Sequence, residues 1–232
     1  MGTPTDQFIR TLTSRHRVIV LGGLAVIAHG FNRPTKDADV WLEPMSSPED
    51  WAAALNHVCG VIPGVSIHSL PGWQKVAAED LARVINDTGI VRILGLDCPL
   101  DIFRRPNEFT EEAFDEVYDR ATANNDGTRL PHPLDLIVTK LDTGRLQDFQ
   151  DSQFLEDLVR KDYAGRLPHA RVEEVKSMFN RFLDWKVCQI ALANPDPAVH
   201  AFVLDTLSEM AEEGDPFAQA LLDGKPIPYQ QG

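Results

Sequence analysis

The chain has 232 residues, 43% of them hydrophobic, with 35 acidic and 22 basic side chains and a formal net charge of -13. That length suits one large domain or two small ones. The acidic balance argues against a protein that coats nucleic acid non-specifically, because such binding rests on Lys and Arg; a local basic patch stays compatible with it. No stretch is long and apolar enough to span a bilayer. The opening MGTPTDQFIRTLTSRHR lacks the apolar core of a signal peptide, so a cytoplasmic protein with no membrane partner is expected. Met1-Gly2 alone does not mark myristoylation, since residue 6 is Asp rather than Ser or Thr. Cys59, Cys98 and Cys188 are odd in number and scattered. Reduced thiols in or near the core are expected, not a disulfide framework or a structural zinc site.

In chain order, RVIVL predicts a strand over about 17–21, ended by Gly22-Gly23. LAVIAHG has helical spacing and closes on Gly30. TKDADVWLE alternates, with Ala38, Val40 and Leu42 on one face and Asp37, Asp39 and Trp41 on the other, so a strand is expected over about 36–43. SSPEDWAAALNHV predicts a helix with Ser47 as cap, Pro48 at its first position and Asp50 completing a capping box. A short strand follows at Val65–Ser69, then a helix over WQKVAAEDLARVIND. GIVRILGLD and LDIFRRP predict strands over about 90–96 and 99–104, joined by a turn at Asp97-Cys98-Pro99. NEFTEEAFDEVYDRAT predicts a helix capped at Thr110 with Glu111 and Glu112 in its first turn, and TRLPH a last short strand.

After residue 131 the character changes. LDLIVTKL, FLEDLVRK, ARVEEVKSMFNRFLDWKVCQIAL, AVHAFVLDTLSEMAEE and PFAQALLDG each predict a helix, and in the third Val172, Val175, Phe179, Phe182 and Leu183 make one apolar face. Asp215-Pro216 starts the last helix, Gly224 ends it, and the tail GKPIPYQQG is expected to be loose. No internal repeat or low-complexity segment is present. The expected organisation is α+β: a mixed-sheet α/β core over 1–131 and a helical region over 132–232.

The chemistry concentrates in GGLAVIAHGFNRPTKDAD. Residues i and i+2 of a strand share a face, so Asp37 and Asp39 project together. Two like charges at that separation repel unless a cation lies between them. A hard divalent cation such as Mg²⁺ takes carboxylate and phosphate oxygens together. Gly22 and Gly23 lie where strand becomes helix, where absent Cβ atoms admit another group and helix N–H groups suit phosphate. Asp101, in the apolar strand PLDIF, is the preferred third acid, because a lone carboxylate there is costly unless paired or metal-bound. Asp97 is its competitor but sits at the turn. With three acids, two metals would activate an attacking hydroxyl and neutralise a leaving pyrophosphate. A turn glycine pair and a chance DxD are the bland alternatives; the joint order of the elements favours a site.

G-G-L-A-V…H-G…R-P-T-K-D-A-D-V resembles the nucleotidyltransferase superfamily with a DNA polymerase β-like core, and within it the AbiEii toxin-like nucleotidyltransferases. The later PLDLIVTKLDTGRLQDFQD is similar to their helical segment with Lys-Leu followed by an R-x-x-D-x-x-D stretch, here Lys140, Arg145, Asp148 and Asp151. The likeness spans roughly residues 17–160. It implies a mixed sheet backed by helices, with Gly22 and Gly23 holding a triphosphate, Asp37 and Asp39 ligating Mg²⁺ and Asp101 as third acid. Lys140 then matches a phosphate-contacting base, and Arg33 a second cation near the triphosphate. Many members carry Gly-Ser where this chain has Gly-Gly, which removes a hydroxyl contact.

Each residue also has a structural reading. Lys140 could lie on the exposed face of an amphipathic helix, and Arg33 could brace the loop before the strand. His29 reads as a helix-end residue rather than a base. Asp148 and Asp151 read as an ion-pair cluster with Lys140 and Arg145 rather than as metal ligands. The basic residues Arg160, Lys161, Arg166, Arg171, Lys176, Arg181 and Lys186 read first as a solvated face and second as an RNA-contacting patch. Segment 196–223 has seven acids and no Lys or Arg, a face for a basic partner. The sequence thus favours a Mg²⁺-dependent nucleotidyltransferase moving a nucleoside monophosphate from an NTP to a hydroxyl of tRNA, protein or a small molecule. A toxin-like role would bring an antitoxin partner. The alternatives are a non-catalytic nucleotide- or partner-binding module that keeps the fold, and an unrelated structural protein.

Overall fold

A computed structural model of the chain describes residues 3–45, 47–70, 72–106, 109–111, 113–140 and 145–227. Short runs of Val, Ile and Leu set its centre. VIVL forms β1 (Val18–Leu21), buried throughout. It pairs antiparallel with β2 (Ala38–Leu42). β2 runs parallel to β6 (Leu100–Phe103), and β6 pairs antiparallel with β5 (Ile90–Leu94). β3 (Ser66–Ser69) pairs with β5 on one side and with β4 (Gln74–Lys75) on the other. β8 (Arg129–Leu130) lies parallel to β1 and carries β7 (Thr122–Ala123) at the far edge. Among the described residues this is one mixed sheet of order β4-β3-β5-β6-β2-β1-β8-β7, as the α+β reading expects.

The period of two divides the sheet chemically. Ala38, Val40, Leu42, Val91, Ile93, Leu100 and Ile102 enter one buried cluster. Their cover comes from Phe8, Ile9 and Leu12 of α1 (Pro4–Thr13), Trp51, Leu55 and Val58 of α3 (Pro48–Val61), and Leu81 and Ile85 of α4 (Leu81–Thr88). The opposite face carries Asp39, Trp41, Arg92 and Asp101. Trp41 is fully buried there. Its ring meets Phe109 and the Phe114 ring of α5 (Ala113–Arg120) edge-on at 5.2 Å, and its Nε1–H donates to the Arg104 carbonyl at 3.0 Å. One stretch of that face is thus sealed by aromatics, while the stretch around Asp39 stays polar.

The described chain forms two compact units, Met1–Leu155 and Glu156–Gly232. The change of character expected at residue 132 is a change of secondary structure, whereas compactness divides the chain later. α6 (Pro133–Val138) and the start of α7 (Leu146–Arg166) belong to the first unit. The second unit holds the rest of α7 with α8 (Val172–Arg181), α9 (Trp185–Ala191), α10 (Pro197–Glu212) and α11 (Pro216–Leu222), so the helical C-terminal region is as expected.

Several elements depart from expectation. Helix α1 was invisible to composition, though Thr3 caps it and Phe8, Ile9 and Leu12 form its buried stripe. The segment read as one helix over 73–87 begins instead as edge strand β4. Trp73 takes a left-handed φ of 56°, β4 folds back on β3, and helix begins only with a 3₁₀ turn over Ala78–Asp80 that runs into α4 at Leu81. The helix read over 170–192 is two, because Phe182 is extended and the Asp184 carboxylate accepts the Val187 N–H at 2.8 Å to cap α9. Ser47 does cap α3, but the Asp50 carboxylate accepts from the Ser47 hydroxyl rather than from its backbone N–H. α5 spans Ala113–Arg120, and the Thr110 carbonyl accepts the Ala113 N–H; Asn107, Glu108 and Glu112 lie outside the described residues, as do Leu141 of the predicted α6 segment and residues 228–232 of the tail. All three cysteines are free thiols, and burial pushes Cys59 up to about 11 and Cys188 up to about 12. Trp41→Ala should cost about 3–5 kcal/mol of stability in urea denaturation, the usual range for emptying an aromatic core site.

Candidate functional site

The site is built where β1 hands over to α2 (Gly22–Ala28) and β2 emerges beside it. Gly22 has a φ of +56°, and a Cβ on it would overlap the Asp39 carboxylate. A Cβ on Gly23 would lie 2.6 Å from the Thr35 Oγ1 and 3.0 Å from the Arg33 guanidinium nitrogens. The glycine pair therefore lets the helix start press against the acidic strand and the loop before it. The register then completes the arrangement. Asp39 stands opposite Asp101 across β2 and β6, and Arg92 stands opposite Asp101 across β5 and β6.

These groups line a cavity of about 490 Å³ together with Gly23, Arg33, Asp37 and Lys140. A smaller concavity of about 160 Å³, lined by Gly22 and Thr139, shares Asp39, Phe103, Lys140 and Arg145 with it. The larger falls in the size range of small-molecule sites.

Charge is distributed unevenly in the cavity. Asp101 is 5% exposed. Arg92 grips it with both arms, Nε on Oδ1 and Nη2 on Oδ2 at 2.5 Å. The guanidinium carbon lies 3.7 Å from the centroid of Trp73. Asp37 and Asp39, by contrast, make no side-chain hydrogen bond or ion pair among the described residues. Burial, then the charges of Asp37 and Asp101, push Asp39 up to about 7, against the pull of Lys140 and Arg92. At Asp39, burial and like charge outweigh those two cations.

Along the cavity wall runs a second cluster, of three cations and two carboxylates. Arg33 donates from Nε and Nη2 to the two Asp151 oxygens at 2.7 and 2.6 Å. Lys140 reaches Asp148 and Asp151, each at 2.9 Å, and the Arg145 Nε reaches Asp148 at 2.5 Å. Asp151 is fully buried. The ion-pair reading of Asp148 and Asp151 holds, and so does the bracing of Arg33, which also donates to the Pro34 carbonyl. The exposed-face reading of Lys140 does not hold, because its side chain is only 7% exposed. His29 caps the end of α2 and contacts the Pro131 carbonyl at 2.9 Å, as a helix-end residue. Asp97 accepts the Thr5 N–H and takes no part in the cavity.

The structure therefore gathers Gly23, Arg33, Asp37, Asp39, Asp101 and Lys140 around one cavity, with Gly22 in the adjoining one. Among the described residues no three His, Cys, Asp or Glu side chains are arranged to hold a metal ion. Arg92's hold on Asp101 accounts for the third carboxylate. The two unpaired acids, Asp37 and Asp39, still fit a cation, since their repulsion is what one would relieve. Sequence reasoning missed Arg92. The signal was present in GIVRILG, a lone cation between β-branched residues, the same kind of anomaly that singled out Asp101.

Three of the basic residues of the second unit have local acidic partners. Arg160 pairs with Glu156, Asp157 and Asp184, Arg166 with Asp162, and Lys176 with Glu173. Those three fit the solvated-face reading. Among the described residues no helix is long and apolar enough to cross a membrane.

No family profile matches the chain, and no curated protein matches it. Among solved structures it is similar to JHP933 from Helicobacter pylori, at 15% identity and a TM-score of 0.41, covering 91% of this chain and 95% of that one. It is also similar to an H. pylori protein described as a "putative nucleotidyltransferase", at 14% identity and a TM-score of 0.38, covering 89% and 94%. At that identity and those TM-scores, neither likeness bears on what this chain does.

Two outcomes follow from the charges. Asp39 is raised in the fold, so its contribution to stability is whole below about pH 4, the unfolded value, and is lost as pH climbs through about 7. In metal-free buffer Asp39→Asn should remove that loss, gaining a few kcal/mol on the parent between pH 4 and pH 8 in urea titrations. Asp151→Ala should cost about 3–5 kcal/mol in the same assay, because it strands Arg33 and Lys140 without their shared counter-charge.

Proposed function

We propose that this chain is a divalent-cation-dependent nucleotidyltransferase that moves a nucleoside monophosphate from an NTP to a hydroxyl acceptor. One observation carries the reading: Asp37 and Asp39 stand unpaired at one cavity, where burial first and then the charges of Asp37 and Asp101 push Asp39 up to about 7. A magnesium–triphosphate brings the missing cation with its own substrate attached. Asp37 and Asp39 would hold the Mg²⁺, whose chemistry is to neutralise phosphate charge and acidify a bound hydroxyl.

The remaining work falls to the chain. Lys140 and Arg145 line the cavity and face the triphosphate's charge, oriented by Asp148 and Asp151. Arg33 holds the loop that presents Asp37. Gly22 and Gly23 would offer backbone N–H groups to a phosphate, while their missing Cβ atoms let Asp39, Thr35 and Arg33 close on the start of α2. The acceptor oxygen bonds to the α-phosphorus, the bond from that phosphorus to the β-phosphate oxygen breaks, and pyrophosphate leaves. Asp101 receives the hydroxyl proton once its carboxylate is freed. The toxin-like setting, with an antitoxin partner, belongs to the same proposal through the sequence resemblance.

A specific observation favours a second reading, a nucleotide-binding module without turnover: both Asp101 oxygens are engaged by Arg92. One experiment separates the two. The protein is incubated with α-labelled NTPs, Mg²⁺ and a cell lysate, and the label is followed into RNA, protein or small molecules. Transfer that Asp39→Asn reduces by at least about a hundredfold supports the enzyme. Calorimetric binding of Mg²⁺–NTP without transfer supports the module, and equal transfer by Asp39→Asn overturns the site.

A further inference from the structure

Arg92 is the component of the cavity that the proposed chemistry does not use. It sits on β5 directly opposite Asp101, and its side chain is 14% exposed. Its planar head is fixed on three sides: both nitrogens that face Asp101 bind it, and Trp73 covers the π face. Trp73 is 48% exposed and adopts a left-handed φ of 56°, an uncommon backbone for so large a residue. The β3–β4 turn is thus built to hold an indole against this guanidinium. Arg suits such a place because it stacks and forks at once, which Lys does not.

Among the described residues, Asp37 and Asp39 behind it have no ion-pair partner in contact. Asp39 feels Asp101 as a repulsive charge although Arg92 is in contact with Asp101. A divalent cation entering between Asp37 and Asp39 would meet Asp101 across the β2–β6 pair, with Arg92 as its rival for that carboxylate. The stronger local charge wins the oxygen, and the stack on Trp73 gives the released guanidinium a place to rest.

We propose that Arg92 is the built-in counter-ion of the carboxylate site, which closes Asp101 off in the empty protein and surrenders it when a divalent cation enters. This rests on the cation-binding part of the reading above and not on transfer. Arg92 is a positioning residue in this scheme: it acts through Asp101. The exchange makes the third acid available only when the cation is present, so the empty site carries no free three-carboxylate cluster.

The test measures Mn²⁺ alone, by the loss of its free paramagnetic resonance signal on binding, in the full chain without nucleotide. Arg92→Gln should bind Mn²⁺ about tenfold tighter than the parent, the scale on which groups behind a ligand alter metal affinity. Asp101→Asn should bind about tenfold weaker, and in the double variant removing Arg92 should recover much less than the tenfold it gives in the parent, since only its direct charge on Asp39 is then left to remove. Arg92→Lys, which keeps the charge and loses the fork and stack, should fall between parent and Arg92→Gln; it also serves if Arg92→Gln folds poorly. Trp73 fluorescence, read against Trp73→Phe, should shift as Mn²⁺ saturates the parent and not in Asp101→Asn. Mn²⁺ binding that ignores both Arg92 and Asp101 overturns the exchange while leaving the Asp37–Asp39 cation site standing. No Mn²⁺ binding by parent or variants overturns both. The predicted affinities without any nucleotidyl transfer leave the exchange standing and remove the enzyme.

Discussion

Repulsion between carboxylates is the constraint on which this structure turns. Strand register sets Asp39 against Asp101, and the loop before β2 brings Asp37 into the same cavity. Nothing in an apolar sheet requires that, and desolvation makes it costly. Each neighbouring feature answers the cost in part. Arg92 cancels one carboxylate. Gly22 gives Asp39 room at the end of β1. Lys140 supplies positive charge that favours the Asp39 carboxylate. What is left is a residual demand for positive charge, localised at two acids and open to solvent through one cavity.

The sheet makes this tolerable by treating its two faces differently. One is a continuous apolar surface under α1, α3 and α4. The other changes character along the strand: two residues past Asp39, Trp41 is sealed by Phe109 and Phe114. A polar site placed beside a rigid aromatic plug is held by strands rather than loops, which is what keeps charged groups in fixed opposition. The ion pairs of Arg33, Lys140, Asp148 and Asp151 form a second frame, satisfied internally and so stabilising as a unit rather than as separate bridges.

Much of this was legible in the chain. Alternation in TKDADVWLE placed Asp39 and Trp41 on the face opposite Ala38, Val40 and Leu42, because a period of two survives any tertiary context. The isolated acid in PLDIF marked Asp101 as a residue in need of a partner. What escaped was which partner. A cross-strand neighbour such as Arg92 is fixed by register, and register depends on turns that the sequence states weakly. The edge strand β4 was lost for a related reason: Gln74 and Lys75 are exposed, so no burial pattern announced them. The break between α8 and α9 was marked by Asp184, a helix-capping residue in the middle of an apolar-periodic run, where periodicity outweighed it.

The Arg33–Asp151 pair joins residues 118 apart in the chain. Contacts of that span are the slowest to form, since the intervening chain must lose its freedom before the contact returns anything. A nascent or partly folded chain therefore holds the acids of β2 without the brace on the loop that precedes them. The brace is complete only when the start of α7, which carries Asp151, has joined the rest of the first unit. Any chemistry the cavity performs is withheld from incomplete chains by the order in which its parts arrive.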